Sequence, residues 1–244
     1  MKVVVIIPAA GMGTRMAAAP VAKEKKPAGS KQFAELGGTP ILIRTLRRFA
    51  TNTAVSAIVV ALRKNEIPVF QHSFELKGRD LSHMKIVLVE GGEHRQQSVA
   101  NALNSISAET DDIVLVHDAV RPFVTDEIIN DVIQTAHKHG AAIAGMPAVD
   151  TVKQVERTAE GAIITATVPR ERVVMAQTPQ GFRYGILKKA FDEAIADGFI
   201  GTDEASLVER SGHNVAVVRG SPRNIKITTP ADLQLAEFYL KSEF

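Results

Sequence analysis

Cationic side chains set beside small-residue turns are the feature of this sequence most capable of chemistry. The run Pro8-Ala9-Ala10-Gly11-Met12-Gly13-Thr14-Arg15-Met16 follows directly on Val3-Val4-Val5-Ile6-Ile7. At the carboxyl end of a parallel strand, small residues let backbone N–H groups approach an anion closely, and phosphate is the anion that suits. A Walker-type P-loop is excluded, because Gly-Lys-Ser/Thr should follow four spacers and here Arg15 stands two residues past Gly13. A dinucleotide fingerprint fits poorly too: Met16 takes the third glycine position, and Lys31 lies near the place of a ribose-binding acid. A Gly-x-Gly turn is equally common as a plain strand-to-helix connection, so it is Arg15 that tips the reading toward an anion. Lys31-Gln32-Phe33 adds a second cation. Arg15 and Lys31 flanking one turn could neutralise a triphosphate and the charge that builds on a departing pyrophosphate. Lys23, Lys25 and Lys26 read as the solvated face of a long loop.

Three further segments carry candidate groups. His117-Asp118-Ala119-Val120-Arg121-Pro122 follows the fourth expected strand, at the end of an open α/β sheet where ligands bind. One carboxylate is enough for Mg²⁺ when substrate phosphates and water complete the octahedron, which makes Asp118 the candidate metal ligand. His117 reads as structural. Gly91-Gly92-Glu93-His94-Arg95-Gln96-Gln97-Ser98 repeats the pattern of small residues before a helix start, where the Gly92 backbone and the Ser98 hydroxyl could read a base edge. Arg170, and Lys226 within an expected strand Asn224-Ile225-Lys226-Ile227-Thr228, suit a second phosphate-bearing substrate, since a strand lysine is costly to bury without an anion. No Gly-x-Ser-x-Gly, HExxH or paired-carboxylate signature is present, so any chemistry is positioning and electrostatics rather than covalent catalysis.

These groups require a scaffold, and the hydrophobic pattern supplies one. Strands are expected at Lys2–Pro8, Ala57–Leu62, Lys85–Val89, Ile113–His117, Ala142–Met146 and Val215–Val218. Helices are expected at Pro40–Ala50, Gln96–Ile106, Asp126–Lys138, Tyr184–Asp197, Asp203–Ser211 and Pro230–Leu240. The alternation predicts a Rossmann-like, mostly parallel α/β sheet with helices on both faces. Asp150–Arg157 and Ala162–Val168 break it as a hairpin, part of a projecting arm at about 149–171. Both faces of that ribbon are semi-apolar, and a two-stranded ribbon is marginal unless covered, so a partner subunit is inferred, packing of the hairpin on its own domain being the alternative. The chain reads as one domain over 1–244, with Ala17–Ser30 as a long loop.

With 29 Lys+Arg against 27 Asp+Glu, the net charge of +2 gives no bulk polycation for nucleic acid or an acidic membrane. Zero Cys removes disulfides, thiolate metal sites and a cysteine nucleophile, and zero Trp with only 2 Tyr speaks against a base-stacking single-strand binder. Pro8 cuts the first apolar run short of a signal peptide, and no later run reaches about 18 residues, so neither secretion nor a membrane span is expected and the reading is cytoplasmic.

Taken in order, the Pro8–Met16 run, Lys31-Gln32-Phe33, Gly91–Ser98, Val116–Pro122, Asp150-Thr151-Val152-Lys153, Gln177-Thr178-Pro179-Gln180-Gly181-Phe182, Thr202–Ser206 and Asn224–Thr228 resemble the 2-C-methyl-D-erythritol 4-phosphate cytidylyltransferases over almost the whole chain. The resemblance implies transfer of a cytidylyl group from CTP to methylerythritol phosphate with release of pyrophosphate, dependent on Mg²⁺ or another divalent cation. A transferase for another polyol phosphate, such as ribitol 5-phosphate, is the alternative. It further implies Arg15, Lys31, Arg170 and Lys226 as catalytic residues. Ala9, Ala10, Gly11, Gly13, Gly92, Glu93, Ser98 and Ala119 would lie at the nucleotide, Arg121, Thr151 and Thr202 around the acceptor, and Asp118 at the metal. The arm would embrace a second subunit, so that Thr151 and Arg170 serve the partner's site in a homodimer. Two departures stand out: Ser30 precedes Lys31 where the family usually has proline, and Ala17–Ser30 is extended. Losing that proline removes a fixed φ and predicts a more mobile loop before CTP binds. A nicotinamide-dependent oxidoreductase and a non-catalytic nucleotide-binding module are the readings from other classes, and the glycine pattern and the retained cations argue against them.

Overall fold

A computed structural model describes residues 1–11, 30–159 and 161–242 of the chain. Gly13, Arg15 and nearly all of the expected long loop lie outside the described residues. The apolar segment Val3–Pro8 (β1) runs parallel to Ala57–Leu62 (β4) on one side and Ile113–Val116 (β6) on the other. Its side chains alternate between two cores as a pleated strand requires. Val3, Val5 and Ile7 join Ile58, Val60, Ile113 and Leu115 in one core, while Val4 and Ile6 join Val59, Ala61, Val114 and Val116 in the other. Helices Ile41–Ala50 (α1), Ile67–Lys77 (α2) and Asp126–His139 (α4) feed the first core, and Arg95–Asn104 (α3), Tyr184–Ala196 (α5) and Glu204–Arg210 (α6) feed the second. Apolar surface on both faces of the strands thus demands the doubly covered sheet that the alternation predicted.

With Ile86–Glu90 (β5), Ala141–Pro147 (β7), Val174–Arg183 (β10) and Ala216–Arg219 (β11), the sheet has seven strands in the order β11-β7-β10-β6-β1-β4-β5. Strand β10 is antiparallel to both β6 and β7; the other pairings are parallel. The hydrophobic pattern did not anticipate β10, because Gln177, Thr178, Pro179, Gln180 and Gly181 break its apolar run. The same residues shift its register against β7 between Ala176 and Gln180, around a cis Thr178–Pro179 peptide, and an irregularity of this kind re-aims side chains.

Three other expectations are corrected. Helix α1 begins at Ile41 rather than Pro40, because Thr39–Pro40 (β3) pairs with Glu35–Leu36 (β2) across Gly37 and Gly38, whose φ of 54° and 69° suit a two-glycine hairpin. Helix α2 was not anticipated from the pattern. Residues 224–228 do not form a strand: Ile227 is fully buried in a third cluster with Leu36, Val120 and Phe123, and its N–H donates to the Val120 carbonyl at 3.0 Å. That cluster also takes Ala236 of the last helix, Pro230–Lys241 (α7).

The hairpin is present as Val152–Thr158 (β8) and Gly161–Val168 (β9), which pair with each other and with no other described strand. Ile163 and Ile164 on it are 62% and 59% exposed, so its apolar side chains find no cover within the described residues. No described helix is long and apolar enough to cross a membrane.

Candidate active site

The carboxyl ends of β1 and β6 lie side by side and deliver two of the expected segments to one cleft. This cleft is lined by Ala9, Ala10, Gly11 and Lys31, by Gly92, Glu93 and Ser98, and by Asp118, Ala119 and Lys226 among others. A second compartment is lined by Arg121, Gln177, Gln180, Thr202 and Asp203. Arg95, Asp118 and Lys226 line both. The nucleotide candidates among the described residues therefore gather in one compartment, Arg121 and Thr202 in the other, and the expected metal ligand stands at the junction.

Asp118 is held there by main chain and charge. Its N–H donates to the Thr178 Oγ1 at 3.1 Å, a contact made available by the irregularity in β10. Lys226 Nζ lies 3.0 Å from Oδ2, Arg121 Nε donates to Oδ2 at 3.2 Å, and Arg95 Nε lies 3.4 Å from Oδ1. Burial pushes the Asp118 carboxyl up, but the Arg95, Lys226 and Arg121 charges outweigh it and hold the group well below the usual carboxylate range. Lys226 thus satisfies the need for an anion expected of it, although from a loop and with a carboxylate of its own chain.

Arg95 was not singled out from the sequence, nor was Glu204. Both Glu204 oxygens accept from Arg95 Nη1, at 2.7 and 2.8 Å, and Glu204 is 1% exposed. Burial pushes the Glu204 carboxyl up against the opposing charge of Arg95. The only sequence signal was position: Arg95 lies in the Gly91–Ser98 segment and Glu204 beside the Asp203 that caps α6. Gln180 was missed for the same reason that β10 was; it donates to Asp203 Oδ2 at 2.8 Å and accepts from the Ala205 N–H at 3.1 Å, fixing the start of α6 beside the second compartment.

The Gly91–Ser98 turn brings its two expected base-reading groups into contact with each other at the cleft. The Gly92 N–H donates to Ser98 Oγ at 3.0 Å, and that hydroxyl donates to the His94 carbonyl at 3.1 Å, so Ser98 shapes the turn from inside. Gly91 is needed for close approach: a Cβ there would lie 2.5 Å from the Ala10 Cβ and 3.0 Å from Ser98 Oγ. A Cβ at Gly11 would meet nothing within 4 Å among the described residues.

His117 is structural, as expected. It is fully buried, stacks edge-on against Phe49 with centroids 4.8 Å apart, and its Nε2 donates to the Arg121 carbonyl at 3.0 Å, while Nδ1 has no partner among the described residues. Burial lowers its pKa from 6.5 to about 4. Between those values the unfolded chain holds the extra proton, so stability falls as pH drops from 6.5 toward 4. At pH 5 the loss from this residue is about 2 kcal/mol relative to neutral pH. Thermal unfolding of His117→Gln between pH 7 and 5 is expected to show a shallower pH dependence than the unaltered chain; equal slopes would refute the assignment.

Two expected site residues are not brought to this site. Arg170 is 56% exposed at its side chain, donates from Nη1 to the Val149 carbonyl at 2.9 Å and sits 3.7 Å from Glu171. Thr151 is exposed at the start of the arm, and neither residue lines a compartment of its own chain.

For a divalent cation the fit is conditional on a substrate. Among the described residues no group of three His, Cys, Asp or Glu could hold a metal ion unaided. Asp118 offers an ionised carboxylate whose Oδ1 is more loosely engaged than Oδ2, which fits a hard cation that takes its other oxygens from phosphates and water.

The sequence profile of the 2-C-methyl-D-erythritol 4-phosphate cytidylyltransferases matches residues 3–242. This chain belongs to that family. The protein so described from Acidobacterium capsulatum is 58% identical over 241 residues, covering 99% of this chain and 98% of that one. Its counterpart from Solibacter usitatus is 49% identical, covering 100% and 97%. Among solved structures, the cytidylyltransferase of Francisella tularensis superimposes with a TM-score of 0.78 at 38% identity, covering 98% of this chain and 99% of that one. That of Thermus thermophilus superimposes with a TM-score of 0.77 at 34% identity, covering 99% and 100%.

Proposed function

We propose that the two adjoining compartments of this cytidylyltransferase hold CTP and the acceptor phosphate on either side of the Arg95–Asp118–Lys226 junction. The reaction is that of the family: a cytidylyl group passes from CTP to 2-C-methyl-D-erythritol 4-phosphate, giving 4-diphosphocytidyl-2-C-methyl-D-erythritol and pyrophosphate. The observation that carries the assignment of compartments is that Arg95, Asp118 and Lys226 line both. A residue that faces both compartments is placed to meet the cytidylyl group as it passes from one ligand to the other.

In this reading the triphosphate lies along Ala9, Ala10 and Gly11; Gly13 and Arg15, which follow in the same sequence run, lie outside the described residues. Glu93 and the turn held by Ser98 bound the nucleoside side, with Gly92 and Ala119 in contact with it. The acceptor phosphate oxygen attacks the α-phosphorus in line with the leaving pyrophosphate. Lys31 and Arg15 neutralise charge growing on the departing oxygens, while Lys226 and Arg121 hold the incoming phosphate beside Thr202. No proton need be removed from a phosphate oxygen already ionised at neutral pH, which agrees with the absence of a general base from the candidate set. Asp118 would hold Mg²⁺ or another divalent cation bound to CTP, which supplies charge neutralisation and fixes the triphosphate.

The arm β8–β9 completes the reading. Its uncovered apolar residues support a homodimer in which the arm of one subunit crosses the other and carries Thr151 and Arg170 to the partner's acceptor compartment. Deleting Thr151–Val168 is expected to leave a folded monomer with little activity, as measured by sedimentation and turnover. A fully active monomer would refute the role of the arm. The function itself is tested by pyrophosphate release with CTP, UTP and ATP crossed against methylerythritol phosphate and ribitol phosphate: CTP with methylerythritol phosphate should win, and preference for any other pair would overturn the reading.

A further inference from the structure

A buried carboxylate that the reaction does not use joins the Lys31 segment to the wall of the nucleotide cleft. Glu66 ends the 3-10 turn Lys64–Glu66 and is 8% exposed. The Ser30 hydroxyl donates to its Oε1, Gln32 Nε2 donates to its Oε2 at 3.3 Å, and Arg63 Nε lies 4.0 Å from Oε2. The same donors reach the cleft wall. Gln32 Nε2 also donates to the Ala9 carbonyl at 2.5 Å, Arg63 Nε donates to the Ala10 carbonyl at 2.9 Å, and Arg63 Nη2 donates to Ser30 Oγ at 3.3 Å. Ser30 and Gln32 are the two chain neighbours of Lys31, and Ala9, Ala10 and Lys31 all line the same cleft.

We propose that Glu66 is a positioning residue for Lys31: through Ser30 and Gln32 it fixes the Lys31 main chain relative to the Ala9–Ala10 wall. The inference rests on the reading of Lys31 as a cation that acts on the departing pyrophosphate. Lys31 opens a 3-10 turn of only three residues, Lys31–Phe33, which is too short to hold its own orientation. A lysine reaches its target on a flexible four-carbon stem, so its placement at a reacting phosphate depends on where its main chain is held. Ser30 has φ −54°, the value a proline would impose, and here its hydroxyl is tied to Glu66 and Arg63 instead. The hub therefore supplies from side chains the restraint that a ring would supply from the backbone. Because Gln32 is 2% exposed, losing the Glu66 oxygen leaves one of its amide N–H groups unpaired away from water, beside the bond it keeps to the Ala9 carbonyl.

The test is a double-mutant cycle on kcat, read by pyrophosphate release in the full-length enzyme with Glu66→Gln, Lys31→Ala and the pair. Glu66→Gln is expected to lower kcat by about 10- to 100-fold, the effect of misplacing a catalytic group by about 1 Å, with KM for methylerythritol phosphate little changed. In the Lys31→Ala background the same change should have no further effect, because its target is already gone. Ser30→Ala should show the same coupling in smaller degree and serves where Glu66→Gln does not fold. Equal losses in both backgrounds would overturn the inference, as would normal turnover in folded Glu66→Gln while Lys31→Ala is impaired. Normal turnover in Lys31→Ala would instead overturn the reading of Lys31, and the inference with it.

Discussion

Lys226→Ala is expected to lower kcat about 10²- to 10³-fold while leaving the chain folded, the usual loss when one electrostatic donor is removed from a reacting centre, about 2.7–4 kcal/mol. Its Nζ lies 3.0 Å from Asp118 Oδ2 at the junction of the two compartments, and the side chain keeps 37% of its exposure, so it is both fixed and reachable by a ligand. The fold does not depend on the ammonium. Ile227 anchors the segment through its burial and its bond to the Val120 carbonyl, and Arg95 and Arg121 still compensate Asp118. Lys226→Arg should recover little, since a planar guanidinium on a different stem cannot place one compact charge at the same point. Steady-state pyrophosphate release with circular dichroism of each variant checks this, and near-normal turnover in Lys226→Ala contradicts it.

Arg95→Ala should do something different, damaging stability and turnover together. Among the described residues Arg95 is the ion-pair partner of Glu204, whose carboxylate is 1% exposed, and removing one side of a buried pair costs about 3–5 kcal/mol because the other charge is stranded. For a chain of this size that is a fall in Tm of about 10 °C. Turnover should fall as well, because Asp118 loses the cation nearest Oδ1. The double variant Arg95→Met with Glu204→Gln separates the two effects: Tm should return most of the way while kcat stays low. Recovery of both would mean that Arg95 acts through stability alone.

The fold was readable where apolar residues alternate without interruption. β1, β4 and β6 are buried on both faces, and their unbroken Val and Ile runs announce this directly. Strand β10 was hidden because its Gln177–Gly181 stretch serves the site: Thr178 braces Asp118, and Gln180 braces Asp203. The polar residues that give the strand its work erase its hydrophobic signature. The site was legible to the same extent and for the same reason. Small residues at strand ends and isolated cations mark Ala9 to Gly11, Lys31, Asp118 and Lys226, which come together in one cleft. Arg95 and Glu204 were illegible because their meaning lies in a contact between residues 109 positions apart, which no local pattern records. Ser30 shows the converse. Its hydroxyl is tied to Glu66, 36 positions away, a contact that the missing proline does not announce, while the loop before it lies outside the described residues.

The central claim is that nucleotide and acceptor meet across one shared cation–carboxylate junction, and a crystal structure with a non-hydrolysable CTP analogue and methylerythritol phosphate tests it most directly. The triphosphate is expected along Ala9 to Gly11, the acceptor phosphate beside Arg121 and Thr202, and Lys226 within contact of the acceptor phosphate or the α-phosphate. An acceptor phosphate bound outside the Arg121–Thr202 compartment, with Lys226 touching neither ligand, would contradict it.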